Sequence, residues 1–152
     1  MYSNSEKNLK IVFTSLHGTS YKLIPKLLKK TGFSELKLVD KQMIPDGNFT
    51  HAKSSNPEEK LALIDAIEIA KKNNSDLVIG TDPDADRFGI VVKDFNGDFI
   101  QINGNQSMIV LTDFLLSRLQ YEKTKSFIAS TVVSTPICLL YTSPSPRDWT
   151  IS

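Results

Sequence analysis

Three short apolar runs, separated by stretches with helical periodicity, constrain the fold of this chain most strongly. The runs cover residues 9–15, 36–40 and 77–81, and each has the length and the β-branched content of a buried strand. Residues 23–28 repeat apolar side chains at helical spacing, and the Asn-Pro-Glu-Glu segment at 56–59 predicts the start of a second helix. Strands that alternate with helices predict a parallel sheet in an α/β protein.

Two further strand-like runs follow at residues 88–94 and 99–103, and the Asn96-Gly97 pair between them is a strong hairpin signal. We therefore expect a three-layer α/β/α domain with a mixed, mostly parallel four-stranded sheet and an antiparallel edge strand. A helix at about 105–120 and a strand at 127–133 then predict a partial second α/β unit.

The composition narrows the class of protein. The 152 residues are 40% hydrophobic and 23% charged, with a formal net charge of +1. This balance is typical of a globular protein and gives no support for a nucleic-acid or membrane partner. The single cysteine, Cys138, excludes an internal disulfide and a cysteine-built zinc site. The start of the chain has no signal-peptide pattern, so we expect a cytoplasmic location.

The acidic segment after the third strand carries the strongest functional signal. Asp82, Asp84 and Asp86 alternate, and in an extended segment alternate side chains point the same way. Three carboxylates at close range repel each other unless a divalent cation compensates their charge. Oxygen ligands favour Mg²⁺, Mn²⁺ or Ca²⁺, and ligands bind at the carboxyl ends of strands in α/β sheets. Arg87 adds a cation suited to phosphate.

Three other interpretations of the acidic segment compete with this one. The first is an acidic surface loop that only increases solubility. The second is an EF-hand loop, and the third is the loop of a haloacid-dehalogenase-type phosphatase. An EF-hand needs Gly and Glu where this chain has Arg87 and Lys93, so that interpretation fails. The phosphatase signature, Asp-x-Asp-x-Thr/Val, fits Asp82 and Asp84, but Asp86 occupies the Thr/Val position. The phosphatase therefore stays a weaker alternative.

Four segments resemble one family, the α-D-phosphohexomutases of the phosphoglucomutase/phosphomannomutase superfamily. TDPDADRFGI (81–90) resembles the metal loop of that family. IVFTSLHGTS (11–20) resembles the strand and His-Gly loop that start its second domain, and NPEEKLALIDAI (56–67) resembles a helix start in the same domain. GDFIQINGNQ (97–106) resembles the passage into its third domain. The resemblance covers residues 8–137 in the family's order.

The resemblance implies a reaction and a metal. In the family, a phosphoserine donates its phosphoryl group to a hexose phosphate, such as glucose or mannose phosphate. The bisphosphorylated sugar then reorients and returns its other phosphate to the serine. Mg²⁺, or Mn²⁺ as a substitute, would be held by Asp82, Asp84 and Asp86. Arg87 would be a catalytic residue that contacts phosphate.

Other residues keep both a functional and a structural interpretation. His17, in the His-Gly position, is a catalytic candidate or a histidine that packs its loop. Lys53 and Asn105 are candidates for binding substrate or phosphate. The alternative for Lys53 is a solvated lysine, and Asn105 lines a domain junction or caps a helix. Gly18 is predicted to permit a tight turn, and His51 is predicted to be a surface-loop residue.

The domain organisation expected from the resemblance is that of a fragment. Residues 1–7 would be a leader, 8–103 the second domain with the metal loop, and 104–137 the truncated beginning of the third domain. Residues 138–152, rich in Ser, Thr and Pro, would be a disordered or artefactual tail foreign to the family. The 152 residues contain no Thr-Ala-Ser-His-Asn-Pro-like serine loop, so we expect the fragment alone to be inactive. A free-standing metal- or phosphate-binding module is the alternative.

Overall fold

The computed structural model describes residues 8–119, apart from three side chains near the end of that range. The chain divides into two units, one ending at Asn103 and the other beginning at Gly104. In the described part, the first unit contains five strands and two α-helices, and the second contains one helix. The predicted leader, the strand predicted at 127–133 and the predicted tail lie outside the described residues.

The elements follow the predicted alternation of strands and helices, with shorter bounds at most ends. The strands are β1 Ile11–Thr14, β2 Leu36–Leu38, β3 Leu77–Thr81, β4 Phe88–Lys93 and β5 Phe99–Ile102. The helices are α1 Leu23–Lys30, α2 Ile64–Lys72 and α3 Gly104–Leu119. Short 3₁₀ turns cover Thr19–Tyr21 and Asp40–Gln42. None of the helices within residues 8–119 has the length and hydropathy needed to cross a membrane.

The strands form one mixed sheet in the order β2-β1-β3-β4-β5. β1 pairs in parallel with both β2 and β3, while β4 is antiparallel to β3 and to β5. The α/β class and the mixed sheet are therefore confirmed. The strand count and the place of the antiparallel strand differ from the prediction. Five strands are present, and the reversed strand is β4, because two successive hairpins turn the chain back and leave β5 at the edge.

The core lies between the sheet and α2. Val12, Val78 and Val91 are neighbours across β1, β3 and β4, and all three are fully buried. They form one cluster with Ala66 and Ala70 of α2. Burying each valine is worth about 1.5–3 kcal/mol. The two parallel crossovers run in opposite directions along the sheet, so the right-handed rule places α1 and α2 on opposite faces.

The end of α1 is where the sequence predicts it, at Gly32. Gly32 has φ +100 and donates its N–H to the carbonyl of Lys29 (3.1 Å). Phe33 donates to the carbonyl of Leu28 (3.0 Å). This pair of bonds is a Schellman cap, which satisfies helix carbonyls that would otherwise lack a partner.

The predicted start of α2 is wrong, because the helix begins at Ile64 and not at the Asn-Pro-Glu-Glu segment. The side chain of Asn56 does accept the N–H of Glu58 (3.1 Å), but it closes only a turn. The carbonyls of Pro57 and Glu58 accept hydrogen bonds from the side chain of Gln101 (3.1 and 2.9 Å). A contact from a distant strand therefore overrides the local helix signal.

Candidate metal centre

The acidic loop, residues 82–87, connects β3 to β4 and brings the three predicted aspartates together. One carboxylate oxygen from each of Asp82, Asp84 and Asp86 lies within 4.8 Å of the other two. Asp82 is fully buried, whereas Asp84 and Asp86 are exposed. This is the one group of potential metal ligands found in the part of the chain that the structure describes.

A turn, and not the predicted extended segment, makes the carboxylates converge. Ala85 donates its N–H to the carbonyl of Asp82 (3.1 Å), and Asp82 donates to the carbonyl of Arg87 (3.3 Å). Ala85 has φ +64, in the left-handed region. That conformation costs an L-residue such as alanine about 1–2 kcal/mol. The three carboxylates that the sequence singles out do converge, but their convergence depends on this strained turn.

Arg87 neutralises Asp82 from within the loop. Its backbone N–H donates to Oδ1 of Asp82 (3.0 Å) and its Nε donates to Oδ2 (2.8 Å). The same Nε lies 3.6 Å from Oδ1 of Asp86. The Arg87 side chain keeps 57% of its surface exposed. It is therefore anchored at Nε while the rest of the guanidinium stays open to solvent.

The charges of the loop shift its pKa values in opposite directions. Burial raises the pKa of Asp82, but the backbone and side-chain hydrogen bonds from Arg87 outweigh it, and the pKa lies below its usual value. The hydrogen bond shared with Asp82, followed by repulsion from Asp84, raises the pKa of Asp86. The hydrogen bond to Asp82 also raises the pKa of Arg87. In the metal-free loop, Asp86 is therefore the aspartate of the cluster whose ionised form is disfavoured.

The donor set fits a hard divalent cation. All three donors are carboxylate oxygens, the ligands that Mg²⁺ and Mn²⁺ prefer. Two oxygens that are adjacent on one octahedral Mg²⁺ are about 3.0 Å apart, since each bond is about 2.1 Å, and at most one pair of three ligands can lie on opposite sides of the ion. The aspartate oxygens lie within 4.8 Å of one another, so binding requires them to close by up to about 1.8 Å. The two exposed aspartates have the freedom to make that closure.

The loop after β1, residues 15–18, which we call the His-Gly loop, forms a tight turn beside the acidic loop. Gly18 donates its N–H to the carbonyl of Ser15 (2.7 Å). The two central residues, Leu16 and His17, have φ values of 45° and 64°. Both φ values are positive, as in a type I′ turn, and each costs about 1–2 kcal/mol in a non-glycine residue.

Gly18 is required for close packing against the acidic loop. Its own φ is −92°, which any residue adopts. A Cβ at Gly18 would lie 2.5 Å from Cα of Pro83 and 2.8 Å from the carbonyl oxygen of Ser15. Thr19 donates its backbone N–H to the carbonyl of Pro83 (2.8 Å) and its hydroxyl to the same oxygen (3.1 Å). The predicted tight turn is present, and the glycine lets it touch the backbone of the acidic loop.

The other predicted site residues lie in different surroundings. His17 is buried, and its ring stacks on His51 with centroids 5.9 Å apart. Lys53 is exposed in the segment that follows His51. Asn105 is the exposed second residue of α3 and belongs to the second unit. The structure therefore groups the three aspartates with Arg87, and His17 joins them only through the His-Gly loop.

Gln42 is a residue that the sequence analysis missed. It is 1% exposed, and its side chain accepts from the hydroxyl of Thr14 (2.7 Å) and donates to the carbonyl of His51 (2.7 Å). Its own carbonyl accepts from the N–H of His17 (2.8 Å) and the hydroxyl of Ser15 (3.0 Å). A glutamine in a polar stretch carries no local signal of such a position.

Fold and site together define an α/β domain with a carboxylate cluster between its third and fourth strands, and several known proteins are similar to this chain in sequence. The family model described as "Phosphoglucomutase/phosphomannomutase, alpha/beta/alpha domain II" matches residues 1–97. The chain therefore belongs to the phosphoglucomutase/phosphomannomutase family. This assignment confirms the predicted resemblance and leaves the phosphatase alternative without support.

Individual relatives agree with the family assignment. Phosphoglucomutases of Staphylococcus aureus strains N315 and MRSA252 are 43% and 42% identical over 129 residues, which is 85% of this chain and 23% of each relative. A crystal structure of a phosphoglucomutase/phosphomannomutase family protein from Burkholderia thailandensis has a TM-score of 0.60 and 27% identity. The match covers 72% of this chain and 22% of that one. The chain thus spans less than a quarter of the length of these relatives.

Proposed function

We propose that this chain supplies the metal loop of a phosphohexomutase, an isomerase that moves a phosphoryl group within a hexose phosphate. The reaction would proceed through a phosphoserine and a bisphosphorylated sugar. The observation that carries the proposal is the convergence of three aspartate oxygens within 4.8 Å in a chain of this family. Because the chain covers 23% of its relatives, the serine and the sugar-binding groups would come from other segments.

The three aspartates would divide the work of holding Mg²⁺ or Mn²⁺. Asp82 is buried and fixed by Arg87, so it provides a rigid first ligand. Asp84 and Asp86 are exposed and would close onto the ion. When bound, the cation would neutralise the negative charge that moves with the phosphoryl group. It would also remove the repulsion that raises the pKa of Asp86.

Arg87 would contact a phosphate. Its Nε is held by Asp82, which fixes the direction of the side chain. The other four N–H donors of a guanidinium are on its two terminal nitrogens, and they can grip phosphate oxygens in pairs. A hexose phosphate or the phosphoserine is the ligand that this arrangement suits. The 152 residues by themselves would bind the metal without turning over a sugar phosphate.

A calorimetric titration of Mn²⁺ and of Mg²⁺ into the 152-residue chain tests the metal site. We expect one ion per chain and a loss of affinity of at least about tenfold in Asp84→Asn, since one of three charged ligands is lost. Asp98→Asn is the matched control, because it removes an exposed carboxylate from the loop between β4 and β5. Absence of binding in the unchanged chain, or equal binding in Asp84→Asn, would overturn the proposal.

A further inference from the structure

We propose that His17 is a positioning residue whose neutral ring, protonated on Nδ1, sets the place of the acidic loop. It would act on the metal site through the His-Gly loop and would not touch metal or substrate. The inference rests on the proposed function, because it takes the acidic loop as the metal site.

The hydrogen bonds of the His17 ring define its tautomer. Nδ1 lies 2.7 Å from the carbonyl oxygen of Ile44, and a carbonyl only accepts, so Nδ1 must carry the proton. Nε2 lies 3.1 Å from the backbone nitrogen of His51, and an amide N–H only donates, so Nε2 must be the bare acceptor. Both nitrogens of the buried ring are therefore occupied by the backbone of one segment. Neither is left for proton transfer to a substrate.

The backbone of His17 is held by the same segment, residues 42–51. Its N–H donates to the carbonyl of Gln42 (2.8 Å), and its carbonyl accepts from the N–H of Asp46 (3.3 Å). Ring and backbone together give His17 four hydrogen bonds to residues 25 or more positions away in the chain. These bonds offset the strain of its positive φ (64°) and fix the direction in which the chain leaves the turn.

The next two residues transmit that direction to the acidic loop. Gly18 packs its backbone against Pro83, and Thr19 donates two hydrogen bonds to the Pro83 carbonyl (2.8 and 3.1 Å). Pro83 is flanked by two of the three carboxylates, Asp82 and Asp84. A shift of the His-Gly loop would therefore move the ligands themselves, and a fraction of an ångström matters for a cation with fixed bond lengths.

Two measurements on the 152-residue chain test the inference. The first is a long-range ¹H–¹⁵N correlation spectrum of the histidine rings, which distinguishes the two neutral tautomers from the imidazolium. We expect the spectrum of a His17 ring with its proton on Nδ1 and a bare Nε2, as the two hydrogen bonds require. A proton on Nε2, or on both nitrogens, would overturn the assignment whatever the metal does.

The second measurement is Mn²⁺ affinity in a set of histidine variants. His17→Ala removes both ring contacts and should weaken Mn²⁺ binding about tenfold. His17→Asn places an amide N–H near the position of Nδ1, so it should recover part of that loss by restoring the bond to Ile44. His51→Ala is the control for the hydrogen bonds, because it removes the ring that stacks on His17 but leaves the backbone atoms that bond the His17 ring and Gln42. It should stay within about twofold of the unchanged chain.

The outcomes separate this inference from the proposed function. If the unchanged chain binds Mn²⁺ and His17→Ala binds it equally well, His17 does not position the loop. If the unchanged chain binds no Mn²⁺, the proposed function fails, while the ring spectrum still decides the tautomer. If His17→Ala does not fold, His17→Asn is compared directly with the unchanged chain. Because His17→Asn still lacks the Nε2 bond to His51, weaker Mn²⁺ binding would support the positioning role and equal binding would overturn it.

Discussion

Two loops on successive hairpins of the same sheet carry nearly the same sequence pattern and differ in chemistry. The acidic loop reads Asp-Pro-Asp-Ala-Asp-Arg, and residues 94–98, the second loop, read Asp-Phe-Asn-Gly-Asp. Both start with the same turn, since Ala85 donates to the carbonyl of Asp82 and Gly97 to the carbonyl of Asp94, each at 3.1 Å. In both loops the fourth residue has a positive φ, +64 and +91.

The loops differ in length after that turn. The second loop closes at once, with the N–H of Asp94 donating to the carbonyl of Asp98 (2.8 Å). Oδ1 of Asp94 accepts the N–H groups of Asn96 (2.9 Å) and Asp98 (2.8 Å), so its carboxylate serves the backbone. The acidic loop closes one residue later, at Arg87, and its fifth residue, Asp86, contributes its carboxylate to the cluster. The second loop has Asn96 in place of Asp84, and its Asp94 carboxylate accepts backbone N–H groups, so of these two loops only the acidic loop brings three carboxylates together.

Of the substitutions that compare the two loops, Gly18→Ala should have the largest effect on stability, because Gly18 packs against Pro83 of the acidic loop. Gly18→Ala would place a Cβ 2.5 Å from Pro83 Cα, the three nearest atoms all belong to the backbone, and such overpacking costs about 1–3 kcal/mol. Gly47→Ala is the matched control, since nothing lies within 4 Å of its Cβ. Urea unfolding measures both changes. Equal midpoints for the two variants would show that the contact with Pro83 contributes nothing to stability.

Exchanging the fourth residues of the two loops, as Gly97→Ala and Ala85→Gly, should affect the free energy of unfolding differently. Gly97→Ala has room for its Cβ but must adopt φ +91, which costs about 1–2 kcal/mol. Ala85→Gly removes a similar strain from the folded state. It also increases the conformational entropy of the unfolded chain, which costs about 0.5–1 kcal/mol of stability, so the net change should be neutral or slightly stabilising. The free energy of unfolding of each variant checks this. A clear loss of stability in Ala85→Gly would contradict the shared turn.

The smallest effect concerns the charge of Asp86. Its pKa in the folded chain is raised above the usual 3.8, so its ionised form lowers stability at neutral pH. That cost disappears as the pH falls through the folded pKa, because the folded state then holds the extra proton. Asp86→Asn should therefore raise the urea midpoint of the metal-free chain at pH 7, and the gain should vanish below about pH 3.8.

Two observations complete the Asp86 test. Saturating Mn²⁺ should reverse the order at pH 7, since the unchanged chain then gains binding free energy that Asp86→Asn has largely lost. Asp98→Asn serves as the control for removal of a carboxylate. A stability gain that persists at pH 3 would refute the electrostatic explanation.

The sequence predicted those parts of the fold that local chemistry determines. The run at 77–81 is β3 to the residue, and Gly32 ends α1 because it alone in that stretch adopts φ +100 without strain. The start of α2 at Ile64 was missed because Gln101, far along the chain, takes the carbonyls that would have continued the helix. A long-range hydrogen bond leaves no trace in the local pattern.

In the candidate site, too, local sequence indicates some residues, whereas contacts between distant segments place the others. Asp82, Asp84 and Asp86 were recognisable because they are close in sequence. His51 is exposed, as the sequence predicts, but nothing in the sequence indicates that its backbone N–H donates to the buried ring of His17. Nothing near Gln42 in the sequence indicates that it joins Thr14, Ser15 and His51. Contacts between segments that are distant in the chain decided these positions.

The most direct test of the central claim is Mn²⁺-induced broadening of the amide resonances of the 152-residue chain. The two loops lie at opposite ends of β4, six residues and about 20 Å apart, so a bound ion broadens them unequally. The metal-loop account predicts that sub-stoichiometric Mn²⁺ erases the amide signals of residues 82–87 first, followed by those of residues 18–20, and affects residues 94–98 last. Broadening that begins at residues 94–98, or that spreads evenly over the acidic side chains, would contradict it.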